Sequence, residues 1–195
     1  FQIDVTNELK FGQDNVVAVC ADTREPGNSR WYTGGGLFRE VKLVSTNRDL
    51  YFERHPLKIT TRENRYVTIA AEVASRGRDK RMPVALRIFD PQGKTVYEGR
   101  TEMRRSTPTR IVEQQLVEVE IPDAQLWDTE HPNLYTVEAT LYNEKGVAVD
   151  RVKERFGIRT IEITPEQGFL LNGKKVLLKG YANHHSLGAL GAAAY

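Results

Sequence analysis

Residues 66–74 have the sequence YVTIAAEVA, in which every second residue from Val67 to Val73 is apolar. Successive side chains of a strand point to opposite faces, so these apolar residues fall on one side of an extended chain. The period of two, together with the β-branched residues, predicts a strand with one face buried in a core.

Strand-like runs of the same kind lie on both sides of this stretch. The runs predicted between Pro56 and Phe156 are Leu57–Thr61, Tyr66–Ala74, Val84–Asp90, Thr95–Glu102, Arg110–Ile121, Leu134–Tyr142 and Val147–Phe156. Two of the connections, DPQG at 90–93 and NEKG at 143–146, are typical of hairpin loops. About seven short alternating strands in roughly 100 residues predict an all-β fold, an immunoglobulin-like β-sandwich. With a single cysteine in the chain, it must be a disulfide-free relative of antibody domains.

The N-terminal segment also alternates. Phe1 to Thr6, Val16 to Cys20 and the segment containing Val41 and Leu43 are predicted strands, with a turn at residues 12–15. Cys20 lies in the apolar run NVVAVC, which predicts a buried, inert thiol.

The C-terminal segment contains a strong hairpin signal. Asn172-Gly173 stands between two apolar runs, and this dipeptide favours a two-residue turn between strands. The second arm, VLLKGYAN at 176–183, is apolar enough to be a strand buried on both faces, as in a parallel barrel. His184 and His185 follow directly, and then a stretch rich in glycine and alanine.

Composition excludes several classes of function. The chain of 195 residues has 28 basic and 26 acidic residues, a net charge of +2, which argues against nucleic acid and anionic membrane surfaces as partners. No apolar run reaches the length of a membrane span. The opening lacks the features of a signal peptide, and the sequence assigns no localisation. One cysteine excludes an intrachain disulfide and any zinc site built on several cysteines.

Few residues suggest chemistry. Adjacent side chains of a strand point to opposite faces, so His184 and His185 cannot both bind one metal, and no metal site is assigned. They have either a structural role or, at the end of a barrel strand, a ligand-binding role. Trp31, in the Gly-rich loop WYTGGG, could stack on a sugar or close one end of the sandwich.

The acidic and basic clusters favour structural roles. Glu118 and Glu120 alternate with valines, which indicates the solvent face of a strand. Asp128 and Glu130 lie in the loop LWDTEHPNLY, where Trp127 is predicted to anchor the loop over an edge of the core. The basic segments 75–81 and 102–110 are predicted solvated loops, since they lack the interleaved aromatic residues of an RNA-binding surface.

Three phrases, in this order and spacing, resemble glycoside hydrolase family 2, which includes β-galactosidases, β-glucuronidases and β-mannosidases. They are SRWYTGGGLFREVKLV, LWDTEHPNLYTVEATLY and FGIRTIEITPEQGFLLNGKKVLLKGYANHHSLGALG. The last resembles the passage from sandwich to barrel in that family, and its end LGALGAAAY is more similar to the β-galactosidase-like branch.

The resemblance implies three regions. Residues 1–46 correspond to the C-terminal part of a jelly-roll sugar-binding domain, 47–161 to an immunoglobulin-like β-sandwich, and 162–195 to the lead-in hairpin and first strand of a (β/α)₈ TIM barrel. It implies substrate-binding roles for Trp31, His184 and His185. It places the catalytic glutamates on later barrel strands, so no catalytic residue is expected in this chain.

The function that the resemblance implies is that of a non-catalytic piece of a retaining β-glycosidase, one that hydrolyses terminal β-galactosides or related β-glycosides. Its partner is a carbohydrate, and it needs no cofactor. Incomplete ends with exposed apolar edges predict that the ends are frayed, domain-swapped or paired with another copy, the last giving a homo-oligomer. The alternative is a stand-alone β-sandwich module that binds glycans or proteins, or a purely structural domain.

Overall fold

A computed structural model describes residues 2–22, 40–76, 80–105 and 110–180. The chain divides into two compact units, one formed by Phe1–Leu43 with Gly180–Tyr195 and the other by Val44–Lys179. Ten strands lie in the second unit, and no helix occurs in the described residues, so none there is long and apolar enough to span a membrane. The strands are β1 Leu50–Arg62, β2 Tyr66–Ser75, β3 Arg81–Phe89, β4 Thr95–Arg104, β5 Ile111–Glu120, β6 Tyr135–Tyr142, β7 Ala148–Phe156, β8 Ile161–Thr164, β9 Gly168–Leu171 and β10 Lys174–Lys175.

The first seven strands form two antiparallel sheets, a three-stranded sheet β1-β2-β5 and a four-stranded sheet β4-β3-β6-β7. Their inner faces share one hydrophobic core. This is the predicted all-β, immunoglobulin-like sandwich, and each of the seven predicted runs overlaps one of these strands. A separate small sheet, β10-β9-β8, follows the sandwich.

Turn chemistry sets the connections of the four-stranded sheet. Between β3 and β4, the Asp90 carboxylate accepts hydrogen bonds from two backbone N–H groups of its own loop, and Gly93 has φ of +84°. Between β6 and β7, the Asn143 side chain accepts two such bonds, and Gly146 has φ of +76°. Both predicted hairpin loops are confirmed, since each connects two paired antiparallel strands. Glycine suits these positions because a residue without Cβ adopts such positive φ values without strain.

Alternating residues of β2 in one sheet and of β6 in the other supply much of the core. Every second residue of β2 from Val67 to Val73 is buried, as the sequence pattern predicts. From the opposite sheet come Tyr135, Val137 and Leu141 of β6, all at most 1% exposed. Each large apolar side chain buried in this way contributes about 1.5–3 kcal/mol relative to leaving it exposed.

At the start of β6, a buried tyrosine makes a hydrogen bond to the backbone of the preceding loop. The hydroxyl oxygen of Tyr135 accepts a hydrogen bond of 2.9 Å from the backbone N–H of Gln125. The Tyr135 ring lies 5.7 Å from that of Phe156 on β7. A tyrosine near the start of this strand that bonds back to upstream backbone is a feature of immunoglobulin-like sandwiches, the tyrosine corner.

The outer face of the four-stranded sheet has a row of alternating charge. Glu98, Arg87, Glu138 and Lys153 are cross-strand neighbours on successive strands. Glu138 is largely buried and pairs with Lys153 at 2.9 Å. The hydrogen bond from Lys153 holds the pKa of Glu138 below its usual value, despite the opposing effect of desolvation. The exposed pair Arg87–Glu98, at 3.2 Å, ends the row.

The variant Glu138→Gln is expected to lose about 1 kcal/mol at neutral pH, because one partner is shielded from water and the other is mostly exposed. The pKa of Glu138 is lowered by folding, so its contribution is present above the unfolded value of about 4.3 and is lost as pH falls through the folded value. Urea denaturation at pH 7 and at successively lower pH should show the difference from the parent chain narrowing below the unfolded value. Glu98→Gln, in the exposed pair, should change stability by less than about 0.5 kcal/mol. Equal effects of both variants at pH 7 would contradict the assignment.

The N-terminal unit corrects several predictions. No strand occurs in its described residues, so the predicted strands in 2–6, 16–20 and around Val41 and Leu43 are wrong there. The turn near residues 12–15 is confirmed in part: Gly12 has φ of +72°, and the Asn15 side chain bonds to the Lys10 backbone. Alternation alone does not make a strand, because a strand also needs a neighbour for its backbone groups, and none pairs with these segments in the described chain.

Cys20 is exposed, not buried as its apolar surroundings predict. The neighbouring Val16 and Val17 are exposed too, at 91% and 73%. The apolar run therefore covers nothing within the described residues, which is why burial predicted from the run fails.

Candidate functional site

The residues predicted to bind substrate, Trp31, His184 and His185, lie outside the described residues, and their roles stay predictions. The structure describes the chain up to Gly180, just before the two histidines. The candidate functional region is therefore the element that leads to them. This element is the three-stranded sheet of β8, β9 and β10, which we call the β8–β10 hairpin, together with its attachment to the sandwich.

The hairpin forms at the predicted dipeptide. Asn172 and Gly173 have φ of +52° and +75°, and they connect β9 to β10 in the register Leu171↔Lys174. Positive φ at both central residues is typical of the type I′ turn, which suits the twist of paired strands. The predicted hairpin is confirmed.

The side chain of Asn172 also makes contacts beyond its own turn. Its backbone N–H donates to the Thr160 carbonyl at 2.8 Å, and its Oδ1 accepts from the Thr160 N–H at 3.0 Å. Its Nδ2 donates to the Trp127 carbonyl at 3.1 Å. One side-chain amide thus holds both the base of the hairpin and a loop of the sandwich.

Two threonines extend this attachment to the β1–β2 end of the sandwich. The Thr160 hydroxyl donates to Asn64 Oδ1 at 2.6 Å. The Thr61 hydroxyl donates to the Arg159 carbonyl at 2.8 Å. We call the residues Thr61, Asn64, Trp127, Arg159, Thr160 and Asn172 the junction.

Trp127 is at the centre of the junction. Its backbone N–H donates to the Ile158 carbonyl at 2.9 Å, and the Arg159 guanidinium lies over its ring at 4.8 Å from the centroid. A Cβ placed on Gly157 would lie 2.6 Å from Trp127 Cβ, so Gly157 allows the tryptophan to pack directly on the backbone. Trp127 thus anchors its loop, as predicted, but on the backbone of Gly157 and Ile158; the side chain of this loop that packs against the core next to it is Leu126.

The loop that follows Trp127 does not form an acid catalyst. Asp128 accepts backbone hydrogen bonds from Glu130 at 2.8 Å and from His131 at 2.6 Å. The bond from His131, and then that from Glu130, lowers the pKa of Asp128, and the carboxylate stays ionised. A general acid of a glycosidase needs the opposite, a raised pKa.

The other acidic pair lies on the surface. Glu118 and Glu120 are exposed on β5, as predicted, and pair with Arg62 at 3.2 Å and Arg65 at 3.6 Å. In the described part of the chain, no cluster of histidine, cysteine or acidic residues could hold a metal ion. The basic segments 75–81 and 102–110 are described only in part.

The arm after β10 differs from its prediction. Residues 176–180 form no strand, and Leu177 and Leu178 are exposed at 75% and 70%. Only the Val176 N–H continues the hairpin pattern, donating to the Phe169 carbonyl at 3.1 Å. A strand apolar on both faces is buried only where other layers cover it, and none does so among the described residues.

The sequence carried weak signals for the junction. Gly157, inside an otherwise strand-like run, indicates close approach of a neighbour. Nothing in the sequence links Asn172 to Trp127, because the bond joins side chain and backbone across 45 positions.

Known proteins share this sequence pattern and this fold. The family model described as glycosyl hydrolases family 2 matches residues 53–159, almost the whole sandwich. Beta-galactosidase BoGH2A of Bacteroides ovatus is 33% identical over 99% of this chain. A family 2 glycosyl hydrolase from Bacteroides cellulosilyticus superposes with a TM-score of 0.77 over 98% of the chain at 32% identity. The Bacteroides uniformis beta-glucuronidase superposes with a TM-score of 0.74 over 97% at 26% identity.

The similarity covers a minor part of each relative. The chain spans 23% of the length of the Bacteroides ovatus protein, and 26% and 24% of the two solved chains. The region that the family model matches, residues 53–159, contains almost the whole sandwich. It ends at the residues that attach the hairpin, Gly157 to Arg159. The chain belongs to glycosyl hydrolase family 2.

Proposed function

We propose that this chain is the non-catalytic, positioning part of a retaining β-glycosidase whose catalytic glutamates lie outside these 195 residues. The observation that carries the proposal is coverage: the chain spans 23% of the Bacteroides ovatus relative and 26% of the Bacteroides cellulosilyticus chain. The carboxyl groups of the described residues agree with it. Wherever a shift is resolved among the described ones, hydrogen bonds lower the pKa: Glu40, Asp128, Glu138 and Glu144. An enzyme of this kind needs one carboxyl held protonated and a second about 5–5.5 Å away as nucleophile.

The substrate we propose is a terminal β-galactoside or a related β-glycoside. Support comes from the relatives, which are named as β-galactosidases and as β-glucuronidases. The end of the chain, LGALGAAAY, favours the first group through its resemblance to the β-galactosidase-like branch.

In the same proposal the regions have distinct tasks. Residues 1–46 belong to a jelly-roll domain that brings Trp31 to the sugar, 47–161 are the spacer, and 162–195 begin the barrel with His184 and His185. A spacer matters because a displacement of about 1 Å at a reacting centre can cost on the order of a hundredfold in rate.

An activity assay tests the proposal. The purified 195-residue chain should show no turnover of 4-nitrophenyl β-D-galactoside or β-D-glucuronide, whereas the complete product of the gene should hydrolyse one of them with retention. Retention is read from the anomer first released, by NMR. Turnover by the chain alone at a rate proportional to its concentration, in material from two different purifications, would overturn the proposal. Inversion by the complete product would overturn its mechanism.

A further inference from the structure

The β8–β10 hairpin has little packing of its own. Its three strands are short, and Ile161 and Ile163 on β8 are exposed at 50% and 79%. Leu170 and Leu171 of β9 are buried, each at 5% exposure. So small a sheet is not independently stable in water, and its orientation depends on what ties it to the sandwich.

Asn172 has the geometry of such a tie. Its Oδ1 and backbone N–H both bond to Thr160, at the base of the hairpin, while its Nδ2 bonds to the Trp127 carbonyl in the sandwich loop. The Trp127 loop is itself held, by the bond from its N–H to Ile158 and by the Gly157 backbone against its side chain. The Nδ2 bond therefore connects a weakly packed element to a firmly held one, at the tip of β9, while the Thr160 hydroxyl bond to Asn64 ties the base.

We infer that Asn172 is a positioning residue: its Nδ2–H bond to the Trp127 carbonyl makes the hairpin and the sandwich one rigid body. This fixes the orientation of β9 and β10, from which the chain runs on to His184 and His185. The significance for catalysis rests on the proposed function, but the rigid attachment does not, and it is measurable in the chain itself.

A turn requirement is the competing explanation for an asparagine here, since Asn172 has φ of +52°. Aspartate tolerates this conformation nearly as well, and Asp-Gly forms the same turn. Asn172→Asp therefore keeps the turn and keeps an acceptor for the Thr160 N–H. It replaces the donor to the Trp127 carbonyl with a charged oxygen, so a control variant must carry the same change in charge.

The sandwich offers a matched control. Asn143, in the β6–β7 loop, uses its side-chain oxygen to accept from the Lys145 and Val147 N–H groups, both at 3.0 Å. Within the described residues no donation from its side-chain nitrogen accompanies these bonds. Asn143→Asp makes the same chemical change in a hairpin loop without removing a donated bond.

Amide hydrogen exchange by NMR on the full chain is the experiment. In Asn172→Asp, protection of the Asn172-position and Val176 amides should fall about tenfold at pH 7, the loss of one hydrogen bond to a carbonyl, while Ile69 and Val137 amides in the sandwich keep theirs. Asn143→Asp should leave both groups unchanged. Lowering the pH through the titration of the new carboxyl, at about 4, should restore hairpin protection, because the protonated group can donate again.

The outcomes are decisive in either direction. Unchanged hairpin protection in Asn172→Asp would overturn the inference, and so would an equal loss in hairpin and sandwich amides. Absence of recovery at low pH, with the sandwich amides still protected there, would show that the donor is not what matters and would also overturn it. None of these results bears on glycosidase activity, so failure of the inference is distinguishable from failure of the proposed function.

Discussion

Tyr135→Ala is expected to lower the free energy of unfolding of this chain by about 4 kcal/mol. Tyr135 is 1% exposed, its ring packs 5.7 Å from that of Phe156, and its hydroxyl satisfies the Gln125 N–H. The truncation removes a large buried ring, leaves a cavity in the core beside Phe156, and leaves a partly buried N–H without its acceptor. Since a domain of this size has a total stability of about 5–15 kcal/mol, urea denaturation should show a much lower midpoint or a chain largely unfolded at 37 °C.

The matched variant Tyr135→Phe keeps the ring and loses only the hydroxyl. A loss of about 1 kcal/mol is expected, from the unsatisfied Gln125 N–H. If both variants lost the same amount, the hydroxyl and not the ring would carry the effect, and the cavity explanation would be wrong.

Measurements at alkaline pH distinguish the contribution of the Tyr135 hydroxyl from that of the ring. Burial raises the pKa of Tyr135, against the opposing effect of the hydrogen bond from Gln125. A folded pKa above the unfolded one means that the contribution is complete below the unfolded value of about 10 and is lost as pH rises through the folded value. The stability advantage of the parent chain over Tyr135→Phe should therefore shrink above pH 10. The other tyrosines are common to both proteins and cancel in the difference.

The sequence predicted the sandwich well because two independent signals agreed there. Period-two alternation marked the strands, and Asp, Asn and Gly marked the loops at Asp90–Gly93 and Asn143–Gly146, where the structure uses their side chains and positive φ values. Strand ends were predicted less well. β1 begins at Leu50 and not at Leu57, because the ladder shifts register between Phe52 and Leu57.

The irregular stretch of β1 explains that error. Pro56 has no N–H to donate to a ladder, so the sequence suggests a strand end there. In the structure the backbone is irregular at this point, with φ of +52° at His55. The strand extends beyond it because Leu50–Phe52 pair with Val73–Ser75 of β2, and the Phe52 N–H also donates to the Asp150 carboxylate on β7 at 2.9 Å. Such a bond between residues distant in sequence has no local signature.

The same limit applies to the candidate site. Asn172-Gly173 predicted the hairpin turn, but the function of the Asn172 amide depends on Trp127, which only the fold brings near. The N-terminal strands failed for the converse reason: alternation near Val16 and Val41 was present, but no described strand pairs with it. Trp31, His184 and His185 stay predictions that rest on resemblance.

Gly157→Ala is expected to cost about 3 kcal/mol, the second large effect. The new Cβ would lie 2.6 Å from Trp127 Cβ and 2.8 Å from its Cγ. Rotation about χ1 can move Cγ, but the position of Cβ is set by the backbone, so the loop backbone must shift to relieve the Cβ contact. A shift would also strain the Trp127 N–H bond to Ile158 and the Asn172 bond to the Trp127 carbonyl. Chemical denaturation measures the loss.

Two glycine controls distinguish this clash from a general effect of alanine. Gly180→Ala introduces a Cβ with no atom of the described residues within 4 Å, at an ordinary φ, and should change stability by less than about 0.5 kcal/mol. Gly99→Ala would meet the hydroxyl end of the Tyr97 ring, which can swing aside, so its cost should be intermediate.

A double-mutant cycle tests whether the tryptophan side chain causes the Gly157 effect. If Cγ and the indole ring contribute, Gly157→Ala should be less costly in a Trp127→Ala background, where they are absent and only the Cβ contact remains. An interaction free energy of about 1–2 kcal/mol is expected for residues in such contact. Additive effects would mean that Cγ and the ring contribute nothing, and that the cost lies in the contact with Cβ, which alanine keeps. The junction would then owe its rigidity to the hydrogen bonds of Asn172 and the threonines, without the tryptophan ring.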